Sequence, residues 1–170
     1  MQDEAVTTHY AQVRQMQVGN TEVLQPFFGD DFRVKHGWQI DPFGQGTWSP
    51  TLMALSGFDA WVINRIGDLE RDALKAERGL QFLWKGNEDL PDVDSQVLTH
   101  VLDTHYNATA LLDWETPGNA APPVTPANVQ ALAEAYVAEV IRRSKWYRYP
   151  ALLAPFGDDF RFQNLSLIHI

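Results

Sequence analysis

Apolar residues along the chain change their spacing several times, and each change marks an element. Residues 3 to 18 carry Ala5, Tyr10, Val13 and Met16 roughly on one side, which predicts a helix. The alternating run from His36 to Ile40 predicts a strand. Ser49-Pro50 reads as an N-cap with proline at the first helical position, opening a short helix through Met53 to Leu55 that Gly57 stops. Phe58 to Ile63 is a second strand, Asp68 to Arg78 a charged helix ended by Gly79, and Leu80 to Trp84 a third strand. Residues 85 to 95 form an acidic loop and Gln96 to Leu102 a fourth strand. A long polar stretch, 107 to 126, holds Pro117, Pro122, Pro123 and Pro126 and reads as an excursion from the domain. Thr125-Pro126 caps the best helix, 127 to 145, with Val129, Leu132, Ala133, Tyr136, Val140 and Ile141 as its stripe. Ala151 to Phe156 reads as a fifth strand.

Strands alternating with helices predict an α/β fold with a parallel sheet, as an open layer or a barrel. With 170 residues, 45% of them apolar, the chain is long enough for one sizeable core and short for two. The charge of 13 − 22 = -9 argues against a nucleic-acid backbone as partner. Cysteine is absent, so thiol chemistry, thiolate metal sites and disulfides are excluded. No basic-then-apolar leader and no apolar run of membrane-spanning length occurs. Both ends look cut. A helical pattern starts at once, and Leu165 to Ile170 runs out with no capping or turn logic.

The chemistry sits where apolar runs break into carboxylates. Asp41 follows the first strand and precedes Pro42, so its bland reading is a turn-capping residue. The run Ala151 to Phe156 breaks into Asp158 and Asp159, followed by Arg161. Parallel strands deliver their C-terminal ends to one face, so Asp41 and the Asp158/Asp159 pair are placed to meet across a cleft. Paired carboxylates are what glycosidic cleavage requires, one as nucleophile or base and the other protonating the leaving oxygen. Adjacent like charges raise one pKa, which suits the acid. The bland alternative for Asp158-Asp159 is a solvated turn. A metal reading for Asp41 is open too, but one carboxylate makes no site. His9, His36, His100 and His105 show no ligand spacing such as His-x-x-x-His.

At these residues the chain resembles the catalytic domain of the family 38 glycoside hydrolases, the class II α-mannosidases of lysosome, vacuole and Golgi. Gly37-Trp38-Gln39-Ile40-Asp41-Pro42-Phe43-Gly44 looks like that family's signature. Asp3-Glu4-Ala5 with His9-Tyr10, Gly57-Phe58-Asp59 through Asn64-Arg65-Ile66, Leu80 to Trp84, and Gly157 to Phe162 follow in family order. The resemblance covers residues 2 to about 164. It implies a partial seven-stranded β/α barrel of the glycoside hydrolase/deacetylase type over residues 1–164, open because incomplete, with 165–170 as a non-family tail. It implies a retaining, zinc-dependent α-mannosidase acting on terminal α-mannosyl linkages of N-glycans or oligosaccharides. Asp41 would be the nucleophile and a zinc ligand, and Asp159 the general acid/base. Asp158, Arg161 and Tyr106 would hold substrate. The cofactor implied is Zn2+, and the place of work the lysosome/vacuole or the Golgi lumen, with room for an oligomeric parent.

The departures are specific. The family's zinc site also takes ligands from a His-x-Asp-x-Gly-Trp segment upstream and a histidine well downstream. This sequence contains neither, so of that ligand set it holds only Asp41. Gln45-Gly46 stands where the family motif has His-Ser. The expectation is therefore an inactive fragment of an α-mannosidase. Two other readings stay open: another carbohydrate-active α/β-barrel hydrolase or deacetylase, and a non-catalytic carbohydrate-binding or structural remnant. Asn107-Ala108-Thr109 and Asn164-Leu165-Ser166 satisfy the N-glycosylation pattern and fit a secretory-route glycoprotein.

Overall fold

The computed structural model describes residues 6–41, 44–107, 124–149 and 151–159. The elements are α1 (His9–Gln17), a π-helical stretch (Val18–Leu24), α2 (Gln25–Phe28), β1 (His36–Gln39), α3 (Ser49–Leu55) and β2 (Ala60–Ile63). There follow α4 (Asp68–Ala76), β3 (Gln81–Lys85), α5 (Asp92–Ser95), β4 (Gln96–Val101) and α6 (Val129–Ser144). The class is α/β. Four strands form one sheet in the order β1-β2-β4-β3.

β1, β2 and β4 run parallel, with Gln39 opposite Ile63 and Ile63 opposite Val101. All three therefore end at one edge. β3 is antiparallel to β4, Gln81 facing His100 and Lys85 facing Gln96, which corrects the all-parallel expectation. The reason is the connection. Residues 86–95, with only the single turn of α5, are too few for the crossover of a dozen or more that a parallel pair needs. A fifth strand at 151–156 is not formed: these residues are described without ladder pairing. A closed barrel is not seen among the described residues.

The core lies under the sheet and is made of Met53, Trp61, Ile63, Leu80, Val97, Val101 and Tyr147. Trp61 and Ile63 occupy alternate positions of β2, as do Val97 and Val101 of β4, so strand alternation sets the buried face. Each such side chain, once buried, contributes about 1.5–3 kcal/mol. Trp61 and Trp84 pack with ring centroids 5.7 Å apart. At the rims of the sheet Trp38 of β1 and Leu83 of β3 stay exposed.

Two helices turn differently from their sequence pattern. On α1 Gln12 is buried while Tyr10 and Val13 are exposed. On α6 Leu132, Tyr136 and Val140 are half-buried, but Val129, Ala133 and Ile141 face out. The residue α6 buries is Arg143, whose guanidinium meets Asp103 at 2.7 and 2.9 Å. A charged residue thus sets the helix rotation, which an apolar stripe cannot announce. α4 ends at Ala76, and its left-handed stop comes one residue before the expected glycine. Arg78 takes the left-handed conformation, φ 57°, while the amides of Arg78 and Gly79 donate to Lys75 and Leu74. Its guanidinium then donates to the Tyr147 carbonyl at 2.7 and 2.9 Å, tying α4 to the end of α6.

Gly86 exits β3 against the start of α3. A Cβ there would meet Thr51 Oγ1 at 2.6 Å and the Thr47 carbonyl at 2.7 Å, whereas one on Gly19 would meet nothing within 4 Å. Gly86→Ala should lower the midpoint of denaturant unfolding by an overpacking cost of about 1–3 kcal/mol. Gly19→Ala should leave it unchanged or raise it.

His100 is buried and stacked parallel on Tyr147 at 5.3 Å. Its Nδ1 lies 2.9 Å from Gln81 Nε2, which only donates, so Nδ1 accepts and the ring is neutral. Burial lowers its pKa below the usual 6.5, against the opposing charge of Asp103. Below pH 6.5 the unfolded chain therefore binds a proton that the folded chain resists, and stability declines as pH falls. Melting temperatures between pH 7 and pH 5 should drop less steeply in His100→Gln than in the wild type. Equal slopes would remove His100 from the account.

Candidate active site at the strand ends

The three parallel strands place Asp41, Arg65 and Tyr106 just beyond their C-terminal ends, after β1, β2 and β4 respectively. A strand end is a rigid mount for a side chain facing an open loop. The Arg65 guanidinium joins the other two: its Nη2 donates to Asp41 Oδ1 at 2.9 Å and to the Tyr106 hydroxyl at 3.3 Å. Its Cζ also lies 5.9 Å from the Tyr106 ring centroid. Asp41 is largely solvent-exposed while Arg65 is two-thirds covered.

The loop after β4 continues into the second carboxylate pair. Asn107 Nδ2 donates to Asp158 Oδ2 at 2.5 Å, and the Asp159 amide donates to Asp158 Oδ1 at 2.8 Å. Residues 151–159 thus reach the same edge without a strand to carry them. Electrostatics give the same picture. The Tyr106 phenol is pushed above 10 first by burial, then by the negative charges of Asp159, Asp41 and Asp158, with Arg65 opposing. His105 packs edge-on against Tyr106 at 4.0 Å, and its Nδ1 accepts from the Tyr106 amide at 2.9 Å. Its pKa is lowered by burial and by Arg65 and Arg71, with Asp158 and Asp159 opposing.

Of the residues expected from sequence, Asp41, Tyr106, Asp158 and Asp159 are therefore brought to one edge, and Arg161 lies outside the described residues. Two further members were not predicted. In the sequence Arg65 stands only within a strand motif. The signal available for it was a cation immediately past a buried strand. Asn107 fits the N-glycosylation pattern, yet the nitrogen an N-linked sugar would occupy is the one bonded to Asp158. Gln39 and Gln45, on either side of Asp41 in sequence, each keep a buried side-chain oxygen with no partner among the described residues.

The donor set does not fit zinc by itself. No group of three or more His, Cys, Asp or Glu side chains among the described residues is arranged to hold a metal. A zinc site takes about four ligands. Asp41 Oδ1 faces a guanidinium instead. The residues present can orient a carboxylate, hold a phenol protonated and present two further carboxylates to a shared ligand.

The sequence model described as "Glycosyl hydrolases family 38 N-terminal domain" matches residues 1–167. The chain is 35% identical to the "Epididymis-specific alpha-mannosidase" of Homo sapiens, over 98% of this chain and 18% of that protein. It is 34% identical to "Alpha-mannosidase B" of Dictyostelium discoideum, over 97% of this chain and 18% of that protein. Identity to the "Lysosomal alpha-mannosidase" of Dictyostelium discoideum is 29%, over 99% of this chain and 16% of that protein. The chain thus spans less than one-fifth of the length of these relatives.

Because Arg65 is the group holding the Tyr106 pKa down, Arg65→Gln should raise it further. Difference absorbance titration against Tyr106→Phe isolates that phenol, and an unchanged or lower midpoint would contradict the arrangement.

Proposed function

Since this chain belongs to the glycosyl hydrolases family 38 N-terminal domain, we propose that it forms part of the active site of a retaining α-mannosidase acting on terminal α-mannosyl linkages of an oligosaccharide or N-glycan. The observation that carries this reading is the Asp41–Arg65–Tyr106 contact at the strand ends, with Asp158 and Asp159 acting on the same phenol.

In this reading Asp41 attacks the anomeric carbon through Oδ2, while Arg65 holds Oδ1 and fixes the plane of the carboxylate. Asp159 gives its proton to the departing glycosidic oxygen, and the C–O bond breaks with formation of a mannosyl ester on Asp41. Asp159 then takes a proton from water, whose oxygen displaces Asp41 from the same carbon. Two displacements return the original configuration. Tyr106, kept protonated, donates to a sugar oxygen. Asp158, steadied by Asn107, accepts from sugar hydroxyls, and Arg161, which follows in sequence, is proposed as a further donor to the substrate.

Zinc dependence is part of the proposal for the assembled active site. The ion would supply Lewis-acid hold on sugar hydroxyls, with Asp41 as one ligand and the others from segments this sequence lacks. The 170-residue chain alone is accordingly proposed to be inactive. A barrel of the family type, with the present sheet as one portion, and a lysosomal or secretory-route location complete the reading. One relative bears the name lysosomal.

In a form that hydrolyses an aryl α-mannoside and contains this chain, Asp41→Asn should lower kcat at least about 10⁴-fold, as removal of a covalent nucleophile does. Asp159→Asn should spare substrates with good leaving groups in the first step and slow the others. Mass spectrometry after trapping with an activated fluoro-mannoside should find the sugar on Asp41. Label on another carboxylate would sink the assignment. For the isolated chain, Zn2+ titration should show no binding tighter than that of its Asp41→Asn variant.

A further inference from the structure

β2 and β4 are neighbours, and their pairing ends with the Leu102 amide donating to the Ile63 carbonyl at 3.0 Å. Beyond that point the chains part toward Arg65 and Tyr106. Two carbonyls, of Asn64 and Leu102, are left at the parting, and buried carbonyls need donors. One side chain supplies both. Arg71 of α4, buried at 8% exposure, donates through Nη1 to Leu102 and through Nη2 to Asn64.

The consequence is geometric. The guanidinium is planar and its two outer nitrogens have a fixed separation, so it sets the spacing of the two carbonyls it bridges. The Asn64 carbonyl belongs to the peptide that leads into Arg65. The Leu102 carbonyl belongs to the peptide that leads into Asp103 and so toward Tyr106. Asp103 is held independently by Arg143, which leaves little play in that segment. The gap that Arg71 fixes is therefore the one bridged further out by Arg65 Nη2 and the Tyr106 hydroxyl.

We propose that Arg71 is a positioning residue: by bridging the ends of β2 and β4 it sets the Arg65–Tyr106 contact, and through Arg65 it aims the Asp41 carboxylate. This rests on the reading of Asp41 as nucleophile. Arg71 itself touches none of the reacting groups. Its substitution should act on kcat more than on KM, because it alters the aim of the Asp41 carboxylate while Asp158, steadied by Asn107, keeps its own hold on the sugar.

The test is a double-mutant cycle in a form that hydrolyses an aryl α-mannoside and contains this chain. Arg71→Met should lower kcat about 30-fold with KM little changed, within the range that small misplacements of reacting groups produce. Arg71→Lys, whose single ammonium retains donors for these carbonyls, should recover part of that loss. In an Arg65→Gln background Arg71→Met should cost almost nothing more, since the contact it supports is already gone. Equal fold-losses in both backgrounds, or a loss confined to KM, would overturn the positioning role. If Arg71→Met fails to fold, the cycle with Arg71→Lys decides by the same criterion. Should Arg65→Gln leave kcat untouched, the reading of the Asp41 cluster fails as well. A crippled Arg65→Gln with no coupling to Arg71 would overturn only the positioning role.

Discussion

The pair between Asp103 and Arg143 is fully withdrawn from solvent, with side-chain exposures of 0% and 4%. An ion pair so placed contributes little net stability against an apolar substitute, but losing one partner strands a buried charge at about 3–5 kcal/mol. Its value is specification. Arg143 fixes the rotation of α6, and Asp103 fixes the segment that leaves β4. Around it, Tyr147 donates to the Val101 carbonyl at 3.3 Å and Arg71 reaches the Leu102 carbonyl. The C-terminal end of β4 is thus held by polar contacts from two helices.

This is a consequence of putting functional groups at strand ends. Where a parallel ladder stops, the backbone still carries carbonyls and amides that need partners, and an apolar lid would leave them unsatisfied. Arginines answer that need because a planar fork reaches two acceptors from one stem. Arg71 serves in this way at the strand ends and Arg78 at the carbonyl that follows α6, while Arg65 and Arg143 bond side chains. Asp41 meets the Arg65 guanidinium and Asp158 the Asn107 amide, and with Asp159 they act on one phenol, that of Tyr106.

Much of the fold was legible beforehand. The pattern found β1, β2, β3 and β4 to within two residues at each boundary, most cleanly at β2, where Trp61 and Ile63 are buried in alternation. The antiparallel sense of β3 was not legible from alternation, which is blind to strand direction. The length of the 86–95 connection held that information. The apparent strand at 151–156 failed for a related reason: an apolar run needs a neighbouring strand, and sequence does not supply one. The apolar stripe on α6 is not its buried face because the helix is oriented by a charge.

For the site, the residue pattern singled out Asp41 and the Asp158/Asp159 pair because carboxylates that interrupt apolar runs are conspicuous. The signature around Asp41, with the further segments that follow in family order, carries the family resemblance, and the family follows from a match over residues 1–167. What tertiary structure alone decided was the set of partners. Arg65, Asn107 and Arg71 lie 24, 51 and 31 residues from the groups they bond, namely Asp41, Asp158 and Leu102. Local sequence determines where the four strands run and where the chain turns, since those are short-range properties of pattern and backbone. It does not fix which donor fills which acceptor across a sheet edge, since that depends on strand order and helix rotation.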